Sequence, residues 1–322
     1  MQALSKTISI KVHARLHMGF YDLTHNLTRT QKNFGSIGLA LENPVTEMVA
    51  SAADKLEIFG DVDAKSRENI IKIAQNLQKS INLQTSLSLR IGSIIPSHVG
   101  LGSGTQLVLS LVSLFNQVYN LNLTQAQIAQ LSGRGARSGI GLGAFEQGGF
   151  LVDAGKQADA LPEIAIRHDF PQGWRIILVS DSAQLGMHGV HELNAFKALK
   201  PMQSDLKTMV LEDMAPALQR ADLLAFGAYM DDLQAYNGAY FSPVQGGLYA
   251  SNNVESALNY LKQNGVACVG QSSWGPTGFA IVGNAEKANL YLEALKKEFA
   301  ANANLSFALT QGYNQGATIK AE

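Results

Sequence analysis

The chain has 322 residues, 46% of them hydrophobic, and a formal net charge of -1, so about two domains with a sizeable core are expected. The balanced charge excludes a nucleic-acid footprint or an anionic membrane surface, and no apolar run approaches the ~20 residues of a membrane-spanning helix. Charged residues make up only 16%, which reads as mesophilic. The single cysteine, Cys268, has no intramolecular disulfide partner, and no signal-peptide pattern opens the sequence; both fit a cytoplasmic protein.

In chain order, Ile8, Ile10, Val12 and Ala14 alternate with other residues and predict a strand over 7–15. Strand-like pieces follow at 47–51 and 55–59, a helix at 69–83 and a strand at 86–91. A glycine-rich segment then opens an apolar helix. Val108, Leu111, Val112, Phe115 and Val118 mark one face of it, while Leu109 and Leu114 lie on others, so burial all round is expected. Thr124 is a plausible N-cap for the next helix, through Leu131. Two glycine-punctuated stretches follow, 133–143 and 148–155, with a strand at 150–152. Pro171 and Gly173 mark a linker at 169–173. Beyond it come a strand at 175–180, helical periodicity at 192–199, 206–230 and 254–263, strands at 266–269 and 279–282, a helix at 285–299 and a strand at 306–309. Strands and helices do not alternate strictly, which favours α+β over a doubly wound sheet. The expected domains are 1–170 and 171–322.

Four segments could carry chemistry. The first is PSHVGLGSGT, 96–105. Gly100, Gly102 and Gly104 would let backbone approach a phosphate, the following helix would offer its N-terminal N–H groups, and Ser103 and Thr105 add hydroxyls. A tight turn opening a core helix explains the same residues. The second is SGRGARSGIGLGAFEQGG, 132–149, where Arg134 and Arg137 stand among glycines beside Ser138. Guanidinium groups suit phosphate or carboxylate recognition; a solvated loop is the plain alternative. The third is HARLHMGFYD, 13–22, which puts His13, Arg15 and His17 on one strand face. The H-x-x-x-H spacing on a strand is too wide for one zinc ion. The fourth is GQSSWGPTG, 270–278; Gln271, Ser272, Ser273 and Trp274, on a loop between strands, suit a ligand wall or a packed turn.

Together and in this order, the segments resemble the GHMP-kinase superfamily. Its phosphate loop P-x-x-x-G-L-G-S-[SAG] is matched at 96–104 and its C-terminal glycine loop at 270–278. Within it, the chain is most similar to the β-ribofuranosylaminobenzene 5′-phosphate synthase family. A-R-L-H-x-G is matched at 14–19, R-G-x-R-S-G-I-G-x-x-A-F-E-x-G-G-F at 134–150, and G-Q-S-S-W-G-P-T residue for residue at 270–277. The resemblance implies a two-domain α+β fold, with a ribosomal-protein-S5-like N-terminal and a ferredoxin-like C-terminal domain. It implies joining of phosphoribosyl pyrophosphate to 4-aminobenzoate, or 4-hydroxybenzoate, with loss of CO2 and pyrophosphate. That is an early step of methanopterin-type cofactor biosynthesis. Arg15, His17, Arg137 and Glu146 become catalytic candidates, the phosphate-loop and 271–274 residues candidates for substrate contact, and Asp22 and Asp153 candidates for Mg²⁺. A homodimer is compatible with this reading. A small-molecule kinase of the same fold is the alternative, and a non-catalytic binding protein a third. Against the kinase, Gly141 stands where the kinases of this superfamily place a catalytic Asp.

Overall fold

The computed structural model describes residues 6–24, 34–133, 135, 138–157, 160–184, 186, 194–196, 198–202 and 204–322. Two antiparallel-rich sheets organise them. The larger has seven strands, its central path running Thr318–Ala321, Ile8–Phe20, Ser36–Ala53, Ser86–Ser93 and Glu57–Phe59. The smaller has four, in the order Leu305–Thr310, Arg175–Asp181, Gly278–Val282 and Cys268–Gln271.

β1 (Ile8–Phe20) runs beyond the alternating stretch that predicted it. From Val12 onward both faces are mostly buried, so the apolar/polar alternation that marks a one-faced strand stops while the strand continues. β2 (Ser36–Ala53) pairs with all of β1, but the register shifts between His13 and Arg15. That irregularity carries the strand from one core to another. Ile8, Ile10 and Val12 pack with Leu111 and Phe115, whereas Ala14, Leu16 and Met18 pack with Phe226 and Phe279 from the second half. β3 (Glu57–Phe59), α1 (Ala64–Ser80) and β4 (Ser86–Ser93) follow. α2 (Ser103–Tyr119) is buried around its circumference, as its composition predicts. Thr124 caps α3 (Gln125–Ser132) with a full capping box.

The stretch read as glycine-punctuated loop contains α4 (Ile140–Glu146). Its glycines serve close packing: a Cβ on Gly143 would lie 2.9 Å from Ile164 Cδ1. β5 (Phe150–Asp153) pairs with β2 and with β6 (Ile164–His168). β7 (Arg175–Asp181) starts the second sheet. The periodicity over 206–230 resolves into α5 (Leu206–Thr208), a π-helical stretch (Met209–Met214), α6 (Ala215–Gln219) and a separate α7 (Leu223–Gln245). The break falls at Asp222, whose carboxylate accepts from Ala225 N–H and starts α7 afresh. α8 (Asn252–Gln263), β8 (Cys268–Gln271), β9 (Gly278–Val282), α9 (Ala285–Glu298) and β10 (Leu305–Thr310) complete the second sheet and its helices. β11 (Thr318–Ala321) then returns to pair with β1. The expected division at 170/171 lies between β6 and β7, yet residues 171–322 do not keep to one sheet.

Candidate active site

Three of the four glycine-bearing or polar segments meet along β1. The Arg15 side chain donates from Nη1 to Gly100 O at 2.7 Å, and its backbone N–H donates to Leu101 O at 3.1 Å. Gly102 lies under the arginine stem: a Cβ there would come within 3.0 Å of Arg15 Cγ. From the other side comes the 270–278 loop. Ser272 Oγ donates to Gly100 O at 2.7 Å and accepts from His17 N–H at 3.0 Å, while Ser273 N–H donates to His17 O at 2.9 Å. One buried hydroxyl thus ties together β1, the phosphate loop and the C-terminal loop. Gly100 has φ +87°, and a Cβ there would meet Ser272 O at 2.6 Å, so both conformation and contact require glycine. Beyond it, α2 points its N-terminus at this junction, with Ser103 and Thr105 in its first turn, an arrangement that favours an anion.

The arginine-glycine segment approaches from α4. Arg134 and Arg137 lie outside the described residues. Their neighbours are anchored by Asp153, which is completely buried. Its Oδ2 accepts from Gly139 N–H at 2.5 Å and from Ser36 Oγ at 3.2 Å, and its Oδ1 accepts from Gly155 N–H at 2.8 Å. Ser138 Oγ bonds Ser36 Oγ at 2.8 Å and accepts from Ile140 N–H at 3.2 Å, so Ser138 helps to start α4. Burial pushes the Asp153 carboxyl up to about 6, against the hydrogen bonds that favour its charged form. With protein donors on both oxygens, Asp153 is a loop anchor and not the metal ligand that the sequence suggested.

Gly141, at the start of α4, packs against α2: a Cβ there would lie 2.8 Å from Thr105 Cγ2. Gln106 Nε2 donates to Gly141 O at 2.9 Å in the same contact. The position expected to carry an acid in a kinase is here closed by helix packing. Glu146, expected to be catalytic, ends this seven-residue helix, some 9 Å along the axis from its start, and Gly316 packs on its carbonyl. It is exposed and belongs to the end of α4 away from the phosphate loop. Nor does His13 join the site. It is buried, with Nδ1 against Leu41 O and Glu42 O and its ring stacked on Tyr313 at 3.6 Å.

His17, Gly19, Gln271, Ser273 and Trp274, with residues of α7, line a small cavity with room for about one water. Trp274 lies 4.3 Å from Phe241, and Phe20 lies 4.5 Å from His17 (ring centroids). The sequence reading missed the α7 contribution, Gln234, Asn237 and Phe241. Their spacing of three and four residues on one helical face was the available signal, but polar residues among apolar ones blurred it. Ser272, expected to touch substrate, is instead a brace with no exposed surface, and Gln271, which lines the cavity, is itself held by Ala250 N–H, from which its Oε1 accepts at 2.7 Å.

Among the described residues, no three His, Cys, Asp or Glu side chains gather as a metal cage. Asp22 accepts at Oδ1 from Thr24 N–H (2.8 Å) and Thr24 Oγ1 (2.6 Å); Oδ2 meets no donor among the described residues. The Ser103 and Thr105 hydroxyls at the α2 N-terminus fit an ion carried in by substrate phosphates, because Mg²⁺ commonly keeps its waters and takes few protein ligands; no described contact joins Asp22 to them. No described helix is long and apolar enough to cross a membrane.

Residues 68–149 match the N-terminal domain of the GHMP kinases, and residues 214–301 the GHMP kinases C-terminal domain. In overall shape the chain is similar to mevalonate diphosphate decarboxylase from Staphylococcus aureus (TM-score 0.66, 16% identity, 98% of each chain). It is also similar to galactokinase from Lactococcus lactis (TM-score 0.66, 14% identity, 97% of this chain and 95% of that one); at such identities the likeness shows the fold alone. The β-ribofuranosylphenol 5′-phosphate synthase of Methanocaldococcus jannaschii is 34% identical over 302 residues, 84% of this chain and 88% of that protein. Its counterpart in Methanothermobacter thermautotrophicus is 30% identical over 295 residues, again 84% and 88%. With its phosphate loop, β1 motif and C-terminal loop joined at one buried serine, the chain belongs to the β-ribofuranosylphenol 5′-phosphate synthase family, on the GHMP-kinase fold.

Proposed function

We propose that the protein condenses phosphoribosyl pyrophosphate with a para-hydroxy- or para-aminobenzoate, releasing CO2 and pyrophosphate and forming a C-riboside 5-phosphate. The observation that supports this reading is the Ser272 junction, whose hydroxyl joins the β1 backbone at His17 to Gly100 of the phosphate loop, the same carbonyl that Arg15 holds. Loss of pyrophosphate leaves positive charge on ribose C1. The α2 N-terminus and phosphate-loop amides are aimed where the leaving anion would sit. Mg²⁺, when bound with the substrate phosphates, would add Lewis-acid stabilisation of that anion. Ser103 and Thr105 would offer it their hydroxyls, with Asp22 as a candidate carboxylate. The para substituent pushes electrons to the ring carbon bearing the carboxylate. That carbon attacks C1, and departure of CO2 returns the electron pair to the ring. No covalent nucleophile is needed, and Cys268 is fully buried with its thiol held far above the usual range by desolvation. The product would feed a methanopterin-type one-carbon cofactor, in a protein acting in the cytoplasm.

The relatives from Methanothermobacter thermautotrophicus and Methanocaldococcus jannaschii are named for a ribosylated phenol, so both acceptors belong in the test. Purified protein with phosphoribosyl pyrophosphate, Mg²⁺ and carboxyl-labelled 4-hydroxybenzoate or 4-aminobenzoate should release labelled CO2 in step with pyrophosphate. Absence of both products with either acceptor, or substrate-dependent ADP release from ATP on the order of 1 s⁻¹, would overturn the proposal.

A further inference from the structure

Two of the motif glycines, Gly19 and Gly270, are seats for side chains of α7. A Cβ on Gly19 would lie 2.9 Å from Asn237 Nδ2, and one on Gly270 would lie 2.7 Å from Gln234 Cδ. Both amides come from one face of the helix, three residues apart. Each then pairs with a backbone much as a neighbouring strand would. Asn237 accepts from Phe20 N–H and donates to Phe20 O, both at 2.8 Å. Gln234 accepts from Gln271 N–H at 2.8 Å and donates to Gln271 O at 3.5 Å, and it also donates to Met18 O at 2.6 Å. β1 needs such partners here. Its register with β2 shifts between His17 and Gly19, and β11 reaches only Ile8 to Lys11 on its other edge. Left unpaired, these backbone groups would be costly to bury.

Gln234 differs from Asn237 in what it joins. Met18 directly follows His17, and Gln271 directly precedes Ser272. His17 N–H donates to Ser272 Oγ, which donates in turn to Gly100 O of the phosphate loop. Gln234, Met18, His17, Ser272 and Gln271 therefore close a ring of covalent links and hydrogen bonds between β1 and the 270–278 loop. The Ser272 hydroxyl forms one side of that ring and the Gln234 amide the other. Glutamine suits the place because one planar group accepts from one strand and donates to the other. A leucine would offer neither bond, and an ionised carboxylate only the acceptor.

We propose that Gln234 is a positioning residue for catalysis: by gripping Met18 and Gln271 together it sets the His17–Ser272–Gly100 contacts, and turnover depends on it. It acts through Ser272 and the phosphate loop, not on the reacting atoms. This rests on the transferase reading above and adds to it a residue that none of the sequence motifs contains.

The test compares Gln234→Leu and Gln234→Glu in the full chain, with amide hydrogen exchange and steady-state kinetics side by side. Gln234→Leu should lower the protection factors of the His17 and Ser273 amides by roughly tenfold or more, while the core of α2 stays protected. Its kcat should fall roughly ten- to a hundredfold, with KM values within about threefold of the parent protein's. Gln234→Glu keeps the acceptor for Gln271 N–H, and its carboxyl when protonated can also donate to Met18 O. Burial and that carbonyl favour the neutral form. Its kcat, relative to the parent's at the same pH, should therefore recover as pH falls from about 8 to 6, and the lost protection should return with it. A role confined to stability would lower the Tm of the variants but leave this ratio flat across pH at a temperature where they are folded. A flat ratio, full kcat in folded Gln234→Leu, or unchanged protection at His17 and Ser273 overturns the proposal. Gln234→Glu decides the matter alone should Gln234→Leu not fold. If the parent protein forms no C-riboside, the transferase reading fails. Protection at His17 and Ser273, with its return at low pH in Gln234→Glu, then still decides whether Gln234 holds the junction.

Discussion

Asp153 and Arg137 carry predictions of different kinds, one from its surroundings and the other from its residue type. Asp153 is fully buried, and its carboxyl sits near 6 against an ordinary 3.8 because desolvation outweighs its hydrogen bonds. Between those values the folded protein binds more protons than the unfolded chain. Stability is therefore highest below the unfolded value and falls as pH rises through about 6, by on the order of 3 kcal/mol from this group. Asp153→Asn should flatten that fall between pH 4 and 6.5 in urea unfolding. It should also destabilise the protein at the acid end by about 1–2 kcal/mol, because an amide NH2 would face Gly139 N–H or Gly155 N–H. Parallel profiles for the two proteins would refute the assignment. Nothing in the sequence reveals this role: an aspartate after Phe150-Leu151-Val152 reads equally well as a metal ligand at a strand end, and only burial separates the two. Arg137, by contrast, is argued from residue type and motif alone. Arg137→Lys keeps the charge and loses the forked geometry. It should lower kcat/KM for at least one substrate by roughly tenfold to a few hundredfold, the scale of one charge-assisted hydrogen bond. Loss of activity only through unfolding would make the arginine structural.

Helix α4 meets α2 at a contact without room for a side chain. A Cβ on Gly141 would lie 2.8 Å from Thr105 Cγ2 and no closer than 3.4 Å to the other atoms of that residue. Gly141→Asp should therefore move α4 and cost about 1–3 kcal/mol, and it should confer no ATP-dependent phosphorylation. Thr105→Ser removes the one offending methyl, so Gly141→Ala/Thr105→Ser should recover most of the stability lost in Gly141→Ala, read as a double-mutant cycle from urea midpoints. Additive costs would show that the two helices can already yield at this point. The motif itself shows that no acid stands at 141, but α4 was hidden because two of its seven residues, Gly141 and Gly143, are glycines, whose weak helix propensity is overridden here by packing. Elements with a strong apolar run, a periodic stripe or a cap were legible: α2, α3 with its Thr124 box, β7 and α9. The far half of β1, most of β2, β6 and β11 carry none of these signals and were not. The same limit applies to the cavity. Its loop wall was readable from Gln271 to Trp274, whereas the α7 wall needed the tertiary structure to show which face of a largely apolar helix turns toward β1.

The two sheets share more than a boundary. Leu16 from β1, Val152 from β5, Ile176 from β7, Phe226 from α7 and Phe279 from β9 are all essentially inaccessible and lie in one continuous cluster. β11 leaves the second half to pair with β1 over Ile8 to Lys11. Gln234 and Ser272 add polar links across the same line. A core that neither half can complete alone makes separate unfolding of either half costly, since it would expose the large apolar side chains of the other. The full chain should accordingly unfold in a single calorimetric transition whose van't Hoff and calorimetric enthalpies agree. Removing residues 317–322 should lower the Tm by several degrees while keeping one transition, because β1 loses four paired positions but the shared cluster remains. Two resolved transitions in the intact chain would mean that the shared cluster does not couple the halves. The site would then be assembled by domain closure on substrate rather than held ready by the fold. The two cases differ in a further observable: a preassembled cleft gives a Tm rise with 4-hydroxybenzoate or 4-aminobenzoate alone, whereas closure on substrate requires phosphoribosyl pyrophosphate first.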